Sequence, residues 1–295
     1  MKRSVKRGPE AFRDFYREEY GQRWDRLEAS LSAPKQYVAR LNTFAATPRH
    51  GLPDTAQAAD WNPACMIVEE SVQVPNDVSP LPFFLMDGAS VLAAEALDAQ
   101  PGDSLLDVCA APGGKSLILA EKLGDTGTLT SNDRSAHRRE RLKRVIADYI
   151  PANVRERIRV TGHDASRWCL HEEQAFDKIL VDAPCSSERH VLADAKELAQ
   201  WTPARTKQLA QRQYAILASA MRVVRVGGRV VYSTCALSQR ENDGVIAKLM
   251  RKRKGEASSV HVDCPLGEET EYGQLILPDE TGFGPIYFAV LERHG

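Results

Sequence analysis

The stretch Ser104-Leu105-Leu106-Asp107-Val108-Cys109-Ala110-Ala111-Pro112-Gly113-Gly114-Lys115-Ser116 decides the fold. Its apolar run at 104–109 ends in a Gly-containing turn, after which residues 114–123 read as a helix. Glycines at such a turn let the backbone approach a ligand closely, and the helix N-terminus favours negative groups. Outward from this unit the alternation repeats. Residues 128–132, 158–161, 178–182 and 229–233 read as strands, and 135–149, 205–224 and 239–253 as helices. That order predicts an α/β fold with a mostly parallel, Rossmann-like sheet covered on both faces. At the end, 274–277 and 286–291 flank Gly282 and Gly284-Pro285 and read as a hairpin that adds an antiparallel strand.

Upstream, Phe12, Phe15, Tyr16 and Tyr20, continued by Trp24, Leu27 and Leu31, recur near helical spacing, so residues 10–44 are expected to be helical. Six prolines from Pro48 to Pro82 interrupt any period and predict an irregular connector or small subdomain. Residues 87–97 read as an Ala-rich helix in front of the sheet. The chain thus divides into a helical and irregular region, 1–82, and a sheet domain, 83–295.

A formal charge of −1, with 43% hydrophobic and 27% charged residues, argues against a disordered chain and against polyanion binding by bulk charge. Basic residues cluster at Lys2-Arg3, Lys6-Arg7, from Arg134 to Arg144, and at Arg251-Lys252-Arg253-Lys254. One such run is a solvated helix face; several beside one pocket form a track for a phosphate backbone. Six cysteines without CxxC spacing argue against a structural zinc site, and no metal is expected. No secretory segment and no apolar run long enough for a bilayer occur, so reduced, intracellular thiols and no membrane partner are expected. Glu10, Asp14, Glu18 and Glu19 argue against a cleavable presequence. The expected location is cytoplasmic, with the mitochondrial matrix as the alternative.

In an open parallel sheet, ligands sit outside the carboxyl ends of the strands. Asp133 closes the second strand, where a ribose hydroxyl is held in dinucleotide folds, and Asp164 follows the third, within reach of an adenine. A phosphate-binding P-loop needs Gly at the position of Cys109, and GxGxxG is absent. S-adenosylmethionine, an adenosine without phosphate, asks less of the loop and is the expected cofactor. Two more strand ends carry thiols: Asp182-Ala183-Pro184-Cys185-Ser186 and Tyr232-Ser233-Thr234-Cys235. Cys65, Cys169 and Cys264 read as small core residues, and Cys109 as a loop residue whose backbone faces the cofactor. Lys115 is a solvated lysine or a contact to carboxylate or RNA. His163 and His190 read as incidental, although His190 follows Cys185 closely.

Asp107-Val108-Cys109-Ala110-Ala111-Pro112-Gly113-Gly114-Lys115, with the two thiol motifs in this order, resembles the Sun/Nop RNA cytosine-C5 methyltransferases from about Phe84 onward. Asn132-Asp133 with Arg138, and Asp164 before Arg167-Trp168, resemble the family's remaining cofactor positions. Tyr20 to Phe44 and Phe283-Gly284-Pro285-Ile286-Tyr287-Phe288 resemble its short organellar branch, whose members modify ribosomal or transfer RNA. Ser187-Glu188-Arg189-His190 departs from the more usual Gly-containing turn. The resemblance implies a class I methyltransferase sheet of seven strands, one of them antiparallel at the C-terminus. It further implies Cys235 as nucleophile, Cys185 in product release, Asp182 at cytosine N3, and cofactor contacts from residues 109–115, Asp133, Arg138, Asp164 and Asp182. RNA is the expected partner, contacted by region 1–82 and the Arg134–Arg144 run, with a targeting protein conceivable and a monomer expected.

Two thiols suit this chemistry, because C5 of cytosine is too weak a nucleophile until a thiolate adds to C6. Two other readings stay open. A DNA cytosine methyltransferase would attack with the Pro-Cys thiol, Cys185. A non-catalytic ribosome-assembly or RNA-binding protein would keep the fold without the reaction.

Overall fold

The computed structural model describes residues 7–69 and 71–295; Lys2-Arg3 and Lys6 lie outside them. The strands, in chain order, are β1 Tyr37–Leu41, β2 Gln57–Ala59, β3 Asn62–Val68, β4 Phe83–Met86, β5 Ser104–Asp107, β6 Thr128–Asn132, β7 Ile158–Thr161, β8 Phe176–Asp182, β9 Val224–Thr234, β10 Ala257–Val260, β11 Glu268–Glu269, β12 Gln274–Ile276 and β13 Ile286–Arg293. Strands β7, β6, β5, β8 and β9 lie side by side and parallel. The chain starts at β5, winds out to β7, and returns to β8 on the other side of β5. The strand order therefore reverses between β5 and β8, which opens a crevice at their carboxyl ends.

The parallel strands are short apolar runs because both faces are buried. Leu105, Leu180 and Val231 face one core with the helices Gly114–Ala120 and Ala136–Tyr149. Their neighbours Leu106, Val181 and Val230 face the other, with Pro203–Val223 and Asp243–Lys252. Gly113 stands at φ +126°, and a Cβ there would meet Val145 Cγ1 at 2.9 Å; one at Gly114 would meet Phe84 at 2.8 Å. These glycines let the loop pack closely on protein, and their bare faces do not open toward the crevice.

The α/β class and the antiparallel C-terminal edge agree with the sequence. The strand count does not: the large sheet has nine strands among the described residues, with β10, β12 and β13 antiparallel to their neighbours and β11 pairing β12. The additional strands β10 and β11 are short and half-exposed or exposed, so no hydrophobic run announces them.

The expectation of helix throughout 10–44 fails at its end. Helices Pro9–Tyr20 and Trp24–Ser32 form, but Tyr37–Leu41 is strand β1, paired between β3 and β4 in a second, four-stranded sheet. Pro34 stops the helix, and cross-strand pairing then decides the conformation. The stretch before Pro82 is likewise partly strand, β2 and β3, rather than irregular throughout. This small sheet is fastened to the helices that cover the large one by the Arg40–Glu121 ion pair at 2.7 Å and by Asn42 Nδ2, which donates to Tyr149 O at 2.8 Å and also to Leu81 O, just before β4, at 2.8 Å. The aromatic stripe of the first helices is core, as its spacing predicted: Phe12, Phe15, Tyr16 and Trp24 pack on Trp201 and Leu237. It covers the loops that follow β8 and β9.

Candidate active site

Five strand ends converge on a cavity of about 870 Å³. Cys109, Lys115, Asp133, Arg138 and Asp164 line it, and so do Asp182, Cys185 and Cys235. Ala110, Ala111, Pro112, Gly113 and Gly114 do not: Pro112 is exposed and the other four are buried in the loop.

On the side of β6 and β7, Asn132 fastens three strand ends. Its Nδ2 donates to Val108 O at 2.9 Å and His163 O at 3.1 Å, and its Oδ1 accepts from the His163 amide at 2.7 Å. The buried Asp133 accepts from the Ser135 amide at 2.9 Å. Arg138 Nη1 lies 3.1 Å from Asp133 Oδ2, a charge contact that leaves this buried oxygen without a hydrogen-bond donor. Arg138 also donates to Ala111 O, tying the helix Ala136–Tyr149 to the glycine loop. Asp164 is half-exposed; the Ser166 hydroxyl, at 2.8 Å, is the main cause holding its carboxyl below the ordinary range.

On the side of β8 and β9, Lys115 Nζ donates to Asp182 Oδ2 at 2.8 Å and to Ser90 Oγ at 3.3 Å. Burial alone would lower Lys115, but the Asp182 charge and hydrogen bond, with Asp107 behind, outweigh it and raise the ammonium. The two thiols touch: the Cys235 amide donates to Cys185 Sγ at 3.2 Å, and the Cys185 thiol donates to Cys235 Sγ. That thiol bond, against burial and helped by the Ser187 hydroxyl, lowers Cys235 from its ordinary value. Cys185, by the same bond and then burial, is pushed well up. The pair therefore favours a thiolate at 235 beside a thiol at 185. Cys109 is also pushed up, chiefly by burial, and stays a thiol.

Several residues at the site carried no signal in the sequence. Lys35, Arg189 and Arg212 bring cations to the cavity from three separate segments. His163 lines the cavity with its ring against Trp168, whereas His190 is exposed beside Glu197, away from it. Cys65, Cys169 and Cys264 pack among apolar residues, as read. Beneath the thiols lie two buried carboxylates, Glu188 and Glu241. In the sequence Glu188 stands only in an unusual turn, and nothing in its spacing marks it as buried.

Glu241 Oε2 accepts from the Ser186 amide at 3.0 Å and Gln213 Nε2 at 2.7 Å. Burial, then the Glu188 charge, push its carboxyl from the ordinary 4.5 to about 7. The folded chain keeps this proton between those values while the unfolded chain has lost it, so stability falls as pH rises through the window. Glu241→Gln removes the titration. Its stability relative to the parent is expected to grow by about 2 kcal/mol from about pH 5 to pH 7, measured by urea unfolding. A difference that stays level with pH would rule out this assignment.

The sequence profile of the 16S rRNA methyltransferase RsmB/F family matches residues 94–292. The chain is 31% identical to the 5-cytosine rRNA methyltransferase NSUN4 of Bos taurus over 333 aligned positions, covering 94% of this chain and 86% of that protein. It is 34% identical to the mitochondrial tRNA (cytosine(34)-C(5))-methyltransferase of Danio rerio, covering 81% of this chain and 69% of that one. Among solved structures, NSun6 from Pyrococcus horikoshii with SFG superposes with a TM-score of 0.81 at 19% identity, covering 97% of this chain and 98% of that one. At that identity the likeness is one of fold.

Proposed function

The chain belongs to the 16S rRNA methyltransferase RsmB/F family, and from that membership we propose that it transfers a methyl group from S-adenosylmethionine to C5 of a cytosine in ribosomal or transfer RNA through a covalent bond to Cys235. The observation that carries the reading is the placing of two thiols side by side, the Cys235 amide 3.2 Å from Cys185 Sγ, in the cavity that also holds Lys115–Asp182.

The residues present fit the cofactor. Asp133 offers a buried oxygen with no donor to a ribose hydroxyl, and Asp164 a half-exposed carboxylate to an adenine amino group. Acids at the ends of β6, β7 and β8 suit a cationic ligand without phosphate. Arg138 would hold the loop at Ala111 and, with Cys109 and Lys115, complete that side. When bound, S-adenosylmethionine supplies an electrophilic methyl on a sulfonium.

The chain's own groups supply the rest. Cys235 Sγ adds to C6 of the cytosine, and the C5–C6 π pair becomes nucleophilic at C5. Asp182, oriented by Lys115, faces the ring at N3 and stabilises the adduct by a hydrogen bond or proton. After methylation the C5 proton passes to solvent water, the C5–H pair re-forms the C5–C6 double bond, and the C6–S pair returns to Cys235 as thiolate; Cys185, in contact with Cys235, assists that release. The target base must leave its stack to enter the cavity, which loop or single-stranded RNA permits at least cost.

Arg134 and Arg138 stand at the cavity rim and continue into the exposed Arg141, Lys143 and Arg144, which supports this helix as the RNA track. The N-terminal helices support it less, because Arg13, Arg17, Arg23 and Arg26 are held by acids. Lys35 is the region's contribution at the cavity. The run Arg251–Lys254, ending the helix Asp243–Lys252, does not line the cavity. No helix among the described residues is long and apolar enough to cross a membrane. The mitochondrial relative favours the matrix over the cytoplasm, which imaging of the tagged full-length protein would test.

The test is transfer of labelled methyl from S-adenosylmethionine to total RNA and to DNA, followed by bisulfite sequencing. Label in RNA as 5-methylcytosine is expected. Cofactor binding without incorporation would support the scaffold reading, and label in DNA alone the other enzyme reading.

A further inference from the structure

Three stretches of chain converge on one buried carboxylate. Glu188 opens the short helix Glu188–Ala193 and is fully buried. Its Oε1 accepts from the Tyr16 and Ser186 hydroxyls, and its Oε2 accepts from the Leu237 amide at 2.9 Å. Ser186 directly follows Cys185, and Leu237 is two residues beyond Cys235. Tyr16 belongs to the helix Pro9–Tyr20, which also reaches the loop after Cys235 through two further residues. Tyr20 Oη donates to Leu237 O at 2.8 Å, and Glu19 accepts from the Ser238 hydroxyl at 3.1 Å and the Gln239 amide at 3.2 Å.

These three donors to Glu188 are neutral. A carboxylate costs more to bury than an apolar side chain of the same volume, so what it contributes here is the reach of its two oxygens. The turn is shaped for that reach. Ser187 takes a left-handed conformation, φ 52° and ψ 66°, uncommon for a residue with a Cβ. Ser186 and Glu188 then meet side by side, while the Ser187 hydroxyl reaches Cys235.

We propose that Glu188 is the positioning residue of the two-thiol site, fixing the Cys185 and Cys235 loops relative to each other and to the N-terminal helix. This deepens, and rests on, the reading that the two thiols carry out the reaction. Glu188 touches no reacting atom; it acts through the loops it holds together.

The full-length chain, Glu188→Gln and Tyr16→Phe are compared in three measurements: affinity for phenylarsine oxide, which needs two adjacent thiols; affinity for S-adenosylmethionine; and kcat and KM with RNA. Cys185→Ala gives the arsenical baseline. Gln keeps one acceptor for Tyr16 and Ser186 but turns an N–H donor toward the Leu237 amide. Glu188→Gln is expected to weaken arsenical capture and lower kcat by about tenfold or more, and Tyr16→Phe by about threefold. Cofactor affinity and KM should stay within about threefold, which a general loss of structure would not allow. A folded Glu188→Gln that captures the arsenical like the parent overturns the proposal, as does a Cys185→Ala chain that captures it undiminished. If Glu188→Gln does not fold, Tyr16→Phe decides, and unchanged capture and kcat overturn it. A parent that transfers no methyl sinks the functional reading, while the arsenical series still judges Glu188.

Discussion

Cys235→Ala is expected to lower methyl transfer to RNA by about four orders of magnitude or more, and to leave no denaturation-resistant protein–RNA adduct. The physical reason is that no other group in the cavity replaces a thiolate there. Cys185 touches position 235 but its own thiol is pushed well up, by the bond it donates and by burial. Removing Cys235 takes away that bond, while burial still holds Cys185 up against the residue-235 amide that continues to donate to its sulfur. Cys109 is a half-buried thiol on the cofactor side and is pushed up as well. Cofactor affinity should hardly change, since Asp133 and Asp164 follow other strands and Arg138 lies on the helix Ala136–Tyr149. Single-turnover transfer with labelled cofactor measures the loss. A variant that retains a tenth of the parent rate would be incompatible with covalent catalysis from this position.

Cys185→Ala should behave oppositely toward the adduct. The C6–S bond still forms, but its expulsion loses the neighbouring thiol, so protein–RNA complexes resistant to denaturant should accumulate, visible as a shifted band removed by nuclease. The geometry adds a second expectation. Cys185 is the largest cause lowering Cys235, so its loss should raise the Cys235 thiol and move adduct formation to higher pH. Accumulation with slower formation at neutral pH is therefore the combined signature. If instead adduct disappears with Cys185→Ala and persists with Cys235→Ala, the Pro-Cys thiol attacks, as in the DNA-methylating alternative, and the roles assigned here are reversed.

The reading of the site divides along physical lines. Cys109, Asp133, Asp164, Asp182, Cys185 and Cys235 were legible because each ends or follows a strand of a parallel sheet, and topology alone sends such residues to one edge. The glycines of the 113–114 turn were legible as glycines but not in their use, since only the packed helix shows that Val145 and Phe84 occupy the space a Cβ would need. Tyr16 illustrates the opposite limit. Its helical spacing placed it in a core stripe correctly, yet its hydroxyl, 172 residues from Glu188 in sequence, ends on the carboxylate beneath the thiols.

By itself the sequence determined the α/β alternation, the parallel sheet and the strand-end acids and thiols, because period and strand order are local and each short apolar run has few ways to be buried. Tertiary structure decided which residues beyond those runs became strands. Tyr37–Leu41 took its conformation from pairing with β3 and β4, and the half-exposed β10 from the edge of β13. It also decided the ionisation of the thiols. A free cysteine is mostly a thiol at neutral pH, whichever position it holds; contact between Cys185 and Cys235, with Ser187 on one side and burial around both, moves the two apart. Such contacts join residues about 50 positions apart, and no pattern along the chain encodes a hydrogen bond of that reach.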